Sequence, residues 1–240
     1  MPITELKTIE QRIHDLPWDD LHADLDGQGF ARSGKFLLAD ECRDLAALWD
    51  GAEFRSHIDM ARYRFGEGEY RYFAYPLPPA VEDLRRAIYP HLAEAANRWA
   101  GLLGEDTRYP DELGEFLDRC HRAGQERPTP LILRYHEGGH NTLHQDIYGE
   151  VAFPFQALLV LSRQGTDYEG GESVLLEQRP RAQSRAHVLV VERGELLFFT
   201  TRQRPVEGTR GYYRAAMRHG VATVTGGERF GLGVIFHDAA

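Results

Sequence analysis

Apolar residues in the first half of the chain recur in steps of three and four, which is the spacing of an amphipathic helix. The longest of these runs follows Pro78 and Pro79 and comprises Val81, Leu84, Ile88, Leu92, Ala95, Trp99 and Leu102. The pattern therefore predicts one long helix with an apolar stripe along one face.

Shorter elements are predicted before and after this helix. Residues 29–38 are rich in apolar and aromatic side chains and suit a strand. Apolar residues over 42–49 predict a helix with Asp40 as its N-cap and Gly51 at its end. A further short helix is predicted over 111–122, with Asp111 as its cap.

The pattern changes at Pro130 to short β-branched and aromatic runs separated by Gly, Asp and Pro: LILRY, FQALLVL, GESVLL, HVLVV, ELLFF, GVATV and GLGVIF. Closely spaced short strands of this kind are typical of a sandwich or barrel. We therefore predict a mainly β fold with flanking helices (α+β), whose core is a double-stranded β-helix, or jelly roll. We expect one domain over 1–240, with a helical and mixed part over about 1–128 and the jelly-roll core over about 129–240.

The composition, 42% hydrophobic and 27% charged, is that of an ordinary folded enzyme. No segment approaches the roughly 20 apolar residues needed to cross a bilayer, and the polar, acidic N-terminus is unlike a signal peptide. We therefore expect a cytoplasmic protein with no membrane partner. Cys42 and Cys120 form no CxxC pair, so we expect them to be small core residues and not thiolate ligands.

The net charge of −9 argues against a surface built to bind nucleic acid, so we expect nucleic acid to be an improbable partner. Charge is uneven, however: the segment Arg179–Arg218 holds nine arginines against three glutamates. Two interpretations are open. The segment faces an anionic substrate carrying a carboxylate or phosphate, or its arginines pair with acids elsewhere and with solvent.

The motif His144-Gln145-Asp146 places an imidazole and a carboxylate two residues apart, so that both face the same side of a strand while Gln145 faces away. His219, at the start of a later predicted strand, offers a second imidazole. Two histidines and one carboxylate on one face of a metal leave three positions open. This facial triad suits non-haem Fe(II), which must bind a chelating cosubstrate and dioxygen.

Arg229 lies ten residues after His219, beyond a turn-forming Thr-Gly-Gly-Glu segment. A guanidinium matches a carboxylate through two parallel hydrogen bonds and stays charged when partly buried. Arg229 is therefore a candidate anchor for the far end of a dicarboxylate.

Together these residues resemble the 2-oxoglutarate/Fe(II) oxygenase superfamily, and within its prolyl-hydroxylase-like branch an uncharacterised group of bacterial proteins. The resemblance extends from about Gly29 to the C-terminus and is specific over 131–237. The matching pieces are Tyr135 with Gly138, His144-Gln145-Asp146, Gly170-Gly171-Glu172, the segment GELLFF, and His219 with Arg229.

This resemblance implies an Fe(II)- and 2-oxoglutarate-dependent dioxygenase that hydroxylates its substrate while 2-oxoglutarate is converted to succinate and CO2. It implies that His144, Asp146 and His219 hold the iron, that Arg229 and Tyr135 bind the cosubstrate, and that dioxygen and optionally ascorbate take part. The presence of Asp146 speaks against the halogenase variants, which lack the carboxylate. Fold and iron site leave the substrate open among protein side chains, amino acids, small metabolites and nucleobases.

The sequence departs from the family in one place. In many relatives a Pro-Val-x-x-Gly-x-Arg stretch directly follows the second histidine ligand. Here the connection from Thr200 to Arg218 is longer than usual and contains Arg-Pro-Val-Glu-Gly-Thr-Arg over 204–210, with no histidine at the corresponding place. We therefore prefer His219 and Arg229 to an assignment that uses Arg210. His237 is another candidate for the second histidine ligand, but no arginine follows it.

Two other classes compete. His136-Glu137-Gly138-Gly139-His140 satisfies the H-E-x-x-H pattern of zinc metallopeptidases, but that motif works on a helix, and two glycines after a predicted strand favour a loop. The other alternative is a cupin-like jelly roll that acts as a metal-binding module or an isomerase. Such sites commonly place more histidines close together on one strand, so the single His-x-Asp and Arg229 favour the oxygenase.

Overall fold

The computed structural model describes residues 7–146 and 149–240. The helices are α1 (Ile9–His14), α2 (Trp18–Gln28), α3 (Ala39–Ala47), α4 (Met60–Tyr63), α5 (Pro79–Leu102) and α6 (Leu113–Arg122), with a 3-10 turn at Leu48–Asp50. The strands are β1 (Phe30–Lys35), β2 (Phe54–Asp59), β3 (Gly66–Glu67), β4 (Glu69–Phe73), β5 (Leu131–His136), β6 (His140–His144), β7 (Phe155–Val160), β8 (Tyr168–Gly170), β9 (Ser173–Gln178), β10 (Arg185–Leu189), β11 (Glu195–Thr200), β12 (Gln203–Gly208), β13 (Gly211–Val221) and β14 (Val224–Ile235).

Two antiparallel sheets form the centre of the fold. The larger sheet has the order β1-β11-β7-β14-β5-β4-β2, with β8 paired to β14. The smaller sheet has the order β10-β9-β13-β6-β3, with β12 paired to β13. These sheets and their flanking helices confirm the predicted mainly β fold with a double-stranded β-helix core.

Helices α2, α3 and α5 pack against the outer face of the larger sheet. The apolar stripe predicted for α5 is confirmed: Leu84, Ile88 and Leu92 are fully buried and belong to the same core as Leu159 of β7 and Leu232 of β14. Each buried side chain of this kind contributes about 1.5–3 kcal/mol. This core fixes the larger sheet and leaves its other face toward the smaller sheet.

Alternation along β13 decides which side chains face the space between the sheets. Arg214 and Arg218 are exposed, whereas Ala215 and Met217 are buried. Because successive strand residues point to opposite faces, His219 lies on the same side as Met217. The strand thus delivers His219 to the interior.

The two predicted helix caps are wrong. Helix α3 begins at Ala39 with Leu38 as its N-cap residue, and the Glu41 carboxylate accepts the Leu38 backbone N–H at 2.8 Å. Asp40 therefore lies within the first turn. Helix α6 begins at Leu113 without a side-chain cap, so Asp111 lies outside it.

Strands from the first half of the chain were not all predicted. β1 pairs with β11, β4 pairs with β5, and β3 pairs with β6, so this half extends both sheets. The division near residue 128 and the single-domain organisation stay predictions. Cys42 and Cys120 are buried free cysteines, as expected. In the part of the chain that the structure describes, no helix has the length and apolarity to span a membrane.

Candidate metal and cosubstrate site

The predicted metal ligands meet between the two sheets. His144 is the last residue of β6, Asp146 follows two residues later, and His219 of β13 is the register partner of His144. Ligand atoms from these three residues lie within 4.8 Å of one another. Asp146 Oδ2 is 3.2 Å from His219 Nε2, and Asp146 Oδ1 is 3.5 Å from His144 Nε2. The arrangement provides two imidazoles and one carboxylate for a single divalent cation.

Neighbouring groups orient these side chains. His144 Nδ1 donates to the Thr142 carbonyl at 2.7 Å, which leaves Nε2 facing Asp146. The buried Gln156 amide donates to Asp146 Oδ2 at 2.7 Å. The His219 ring packs 4.8 Å from the ring of Phe199. The ligands are therefore held in position before a metal binds.

The electrostatics favour an ionised carboxylate in this cluster. Burial alone would raise the pKa of Asp146, but His219 and His144 hold it well below its usual range. Burial opposes the positive form of His144, yet its bonds to Asp146 raise its pKa overall. The cluster is thus an anionic centre that attracts positive charge, either protons or a metal ion.

Arg229 lies in β14 opposite Tyr135 of β5 and is 1% exposed. Its Nη2 is 3.4 Å from Ser173 Oγ, whereas Nε and Nη1 have no hydrogen-bond partner. A Cβ at Gly171 would lie 3.1 Å from Arg229 Cδ, so glycine leaves room for this side chain. A buried guanidinium with unused donors is costly and fits an anionic ligand that completes its hydrogen bonds.

The Tyr135 hydroxyl is a second buried group without a hydrogen-bond partner. Burial raises the pKa of Tyr135 to about 12, against the opposing effect of the Arg229 charge, so the hydroxyl keeps its proton and can donate it. A Cβ at Gly68 would lie 2.7 Å from the Tyr135 ring, and this close approach requires glycine. Tyr135 and Arg229 therefore offer adjacent donors to one carboxylate.

A single cavity of about 300 Å³ joins the two groups. His144, Asp146 and His219 line it together with Arg229 and Tyr135. These five residues come from four segments of the sequence, and the fold brings all of them to one cavity.

The competing residues lie elsewhere. His136 ends β5 and His140 begins β6, with a turn between them, so the H-E-x-x-H segment lacks the helix that a zinc peptidase site needs. His237 is buried, and its Nδ1 accepts the Phe153 backbone N–H at 3.2 Å. Arg210 is exposed in the β12–β13 turn, within the segment expected to be a long connection.

None of the nine arginines of the segment Arg179–Arg218 lines the cavity. Arg179 and Arg204 pair with Glu177, Arg193 lies 3.8 Å from Asp167, and Arg214 lies 2.9 Å from Glu105. Pairing with acids elsewhere therefore accounts for four of the nine. Sequence reasoning missed Gln156 and Ser173, because nothing in the sequence places their strands beside the cluster.

Solved structures of prolyl hydroxylases and of an oxidoreductase of the 2OG-Fe(II) oxygenase family share this fold. A prolyl-4-hydroxylase from Pseudomonas putida aligns with a TM-score of 0.57 and 20% identity over 92% of this chain and 100% of its own. A Trichoplax adhaerens prolyl hydroxylase in complex with a hypoxia inducible factor peptide aligns with a TM-score of 0.58 and 16% identity over 98% and 94% of the two chains. A Burkholderia pseudomallei oxidoreductase of the 2OG-Fe(II) oxygenase family aligns with a TM-score of 0.54 and 16% identity over 93% of each chain.

Residues 68–239 match the Oxygenase-NA family, described as an oxygenase catalysing oxidative methylation of damaged DNA, and the chain belongs to this family. An uncharacterized protein of Mycobacterium tuberculosis is 48% identical over 168 residues, which are 70% of this chain and 72% of that protein. The description of the Oxygenase-NA family does not support the expectation that nucleic acid is an improbable partner.

Proposed function

We propose that this oxygenase is an Fe(II)- and 2-oxoglutarate-dependent dioxygenase that hydroxylates a C–H bond of its substrate. His144, Asp146 and His219 hold the iron, and Arg229 and Tyr135 hold the far carboxylate of 2-oxoglutarate. When bound, the iron and the keto acid supply the oxidising chemistry, with dioxygen as oxidant and conversion of 2-oxoglutarate to succinate and CO2.

The observation that carries this proposal is the unused buried donors of Arg229. A structural arginine at 1% exposure satisfies its guanidinium with acids or carbonyls, as Arg85 does with Asp238 and two backbone carbonyls. Arg229 instead leaves Nε and Nη1 unpaired beside the cavity that holds the metal ligands. A dicarboxylate that reaches from the metal to this fork satisfies both ends of the site.

The metal ligands, Gln156 and the apolar residues of the cavity have different roles in this proposal. His144 and His219 face the ion with neutral imidazole nitrogens, and Asp146 supplies a negative charge. Gln156 fixes one carboxylate oxygen by donating to it at 2.7 Å. Apolar residues such as Leu158, Leu175 and Leu197 line the same cavity and exclude water from the reacting groups.

The cupin-like alternative does not account for the unpaired donors of Arg229. A metal-binding module or isomerase needs the ion and its ligands, but it gives no reason for a buried, unpaired guanidinium beside them. The family description adds one substrate class, damaged DNA, to the candidates.

Turnover of 2-oxoglutarate tests the proposal without a known substrate. Purified protein with Fe(II), ascorbate and oxygen should slowly convert 2-oxoglutarate to succinate, as quantified by mass spectrometry. Asp146→Ala should abolish this conversion because the ion loses its carboxylate, whereas the exposed control Asp111→Ala should retain it. Succinate formation that survives in Asp146→Ala, or its absence from wild type, would contradict the proposal.

A further inference from the structure

Strand β14 carries two glycines on the face that meets the smaller sheet. Side chains alternate along a strand, so every second residue of β14 lies on the side of the cavity. These residues are Arg229, Gly231, Gly233 and Ile235, of which the first, third and fourth line the cavity. The opposite face of the strand carries Leu232 and Val234, which are buried in the core beneath the helices. The strand therefore presents a stretch without side chains beside the cavity.

The backbone conformation does not account for these glycines. Neither Gly231 nor Gly233 has the positive φ that favours glycine. At both positions β14 pairs with β5 on one side and with β7 on the other. Glycine inside a strand is destabilising, because it loses the most conformational freedom on folding and has no side chain to pack. Such a residue commonly marks a place where a ligand or another group approaches the backbone closely.

The surroundings of the two glycines show which groups approach the backbone. A Cβ at Gly231 would lie 3.2 Å from Leu158 Cδ1 and 3.6 Å from Arg229 Nη1, a nitrogen without a hydrogen-bond partner. A Cβ at Gly233 would lie 3.0 Å from Leu131 Cδ2. Leu131, Leu158 and Arg229 all line the cavity. A larger residue at either position would therefore displace a side chain that shapes the cavity.

The two glycines also lie between the two ends of the proposed ligand site. Gln156, which donates to the metal ligand Asp146, is the register partner of Ile235. Arg229 lies further back on the same face of β14, and the positions between Arg229 and Ile235 on this face are the two glycines. A ligand that extends from the metal ligands to Arg229 therefore passes over backbone without side chains.

We propose that Gly231 and Gly233 determine which keto acid the site accepts. They leave the space between the metal ligands and Arg229 free for a keto acid with a second carboxylate. Gly231 also positions the Arg229 guanidinium to receive that carboxylate. A keto acid without a second carboxylate, such as pyruvate, reaches the metal alone and does not depend on either glycine. The inference rests on the proposed function, because it requires the metal and the dicarboxylate in this cavity.

Keto acid selectivity, measured by binding alone, tests the inference. Protein loaded with Fe(II) without oxygen is titrated with 2-oxoglutarate and with pyruvate, and calorimetry gives the two dissociation constants. We expect wild type to bind 2-oxoglutarate at least about 100-fold more tightly, because only this acid forms charged hydrogen bonds to Arg229. Gly231→Ala and Gly233→Val should each reduce this preference about 10-fold or more, the effect of losing one such bond. Their affinities for pyruvate and Fe(II) should stay at the wild-type values, which also shows that the variants are folded.

Gly226→Ala is the matched control. Gly226 lies in the same strand without a positive φ, and no atom lies within 4 Å of an added Cβ, so this variant should keep the wild-type preference. An unchanged preference in both Gly231→Ala and Gly233→Val would overturn the inference and leave the proposed function intact. Equal losses of affinity for 2-oxoglutarate and pyruvate would also overturn it, by assigning the glycines a structural role. Absence of Fe(II)-dependent 2-oxoglutarate binding by wild type would overturn the proposed function as well.

Discussion

Replacement of Arg229 by Met keeps a long apolar side chain and removes the guanidinium. Nη1 of Arg229 has no hydrogen-bond partner and Nη2 makes one contact of 3.4 Å, so these two nitrogens can bind a ligand carboxylate through parallel hydrogen bonds. A hydrogen bond to a charged group contributes about 1.5–3 kcal/mol, so loss of two weakens binding by about 3–6 kcal/mol. Since 1.4 kcal/mol corresponds to tenfold, the 2-oxoglutarate concentration needed for half-saturation should rise by about 10²- to 10⁴-fold.

The same substitution separates a ligand-binding role from a structural one. In the ligand-free protein, Met would lose only the long 3.4 Å contact of Arg229 with Ser173 and the ring contacts with Tyr135 and Tyr168, and it would remove a buried charge with two unpaired donors. The melting temperature of apo Arg229→Met should therefore equal or exceed that of wild type. Arg229→Lys retains a point charge without the planar fork and should bind 2-oxoglutarate with intermediate affinity.

Anaerobic titration of the Fe(II)-loaded protein with 2-oxoglutarate measures the effect, and a parallel Fe(II) titration shows that metal binding is retained. The control is Arg210→Ala, which alters the exposed arginine of the Pro-Val-Glu-Gly-Thr-Arg segment (205–210) and should leave both titrations unchanged. A half-saturation within threefold of wild type in Arg229→Met would refute the assignment. Such a result, combined with a large loss in Arg210→Ala, would transfer the role to Arg210.

Three further predictions concern the metal centre and the core. Gln156→Leu removes the bond to Asp146 and should weaken Co(II) affinity about 10- to 100-fold in an absorbance titration. Burial lowers the pKa of His237 to about 4, below the ordinary 6.5, so the fold excludes a proton that the unfolded chain binds between these values. The free energy of unfolding should therefore fall as pH decreases through this window, and His237 should account for about 2 kcal/mol of the fall between pH 6.5 and 5. Urea unfolding at several pH values measures this dependence, and His237→Gln should reduce it. Arg85→Met should lower the unfolding free energy by about 3–5 kcal/mol, because it leaves the buried Asp238 carboxylate without its arginine.

The Gln156 and Arg85 predictions each have a matched control variant. Gln164→Leu removes an amide outside the metal site and should leave Co(II) affinity intact. Arg86→Met removes a surface pair with Glu82 and should change the free energy of unfolding by at most about 0.5 kcal/mol. The predictions are wrong if Gln156→Leu binds Co(II) like wild type, if His237→Gln has the same pH dependence as wild type, or if Arg85→Met matches Arg86→Met.

Features that depend only on the spacing of residues within one helix or strand could be predicted from the sequence. The apolar stripe of α5 is confirmed because a helix buries residues that lie three and four apart. His144 and Asp146 lie in one cluster because they are two residues apart at the end of a strand. The caps were wrong because Asp40 and Asp111 are suitable cap residues in composition, whereas the choice of the first helical turn depends on packing.

Contacts between residues that are distant in the sequence could not be predicted from the sequence of one protein. Gln156 reaches Asp146 because β7 lies in the sheet that faces the smaller one, and this depends on the strand order. The arginine-rich segment was open to two interpretations because ion pairs such as Arg204 with Glu177 form only after β9 and β12 fold onto β13.

An anaerobic titration of metal-free protein with Fe(II) and 2-oxoglutarate tests the central claim most directly. A keto acid chelated to Fe(II) gives a visible charge-transfer band, so the experiment needs no substrate. The account predicts that wild type develops this band with one equivalent of Fe(II) and that His219→Ala does not. Absence of the band from wild type, or its full retention in His219→Ala, would contradict the assignment of His144, Asp146 and His219 as the iron ligands.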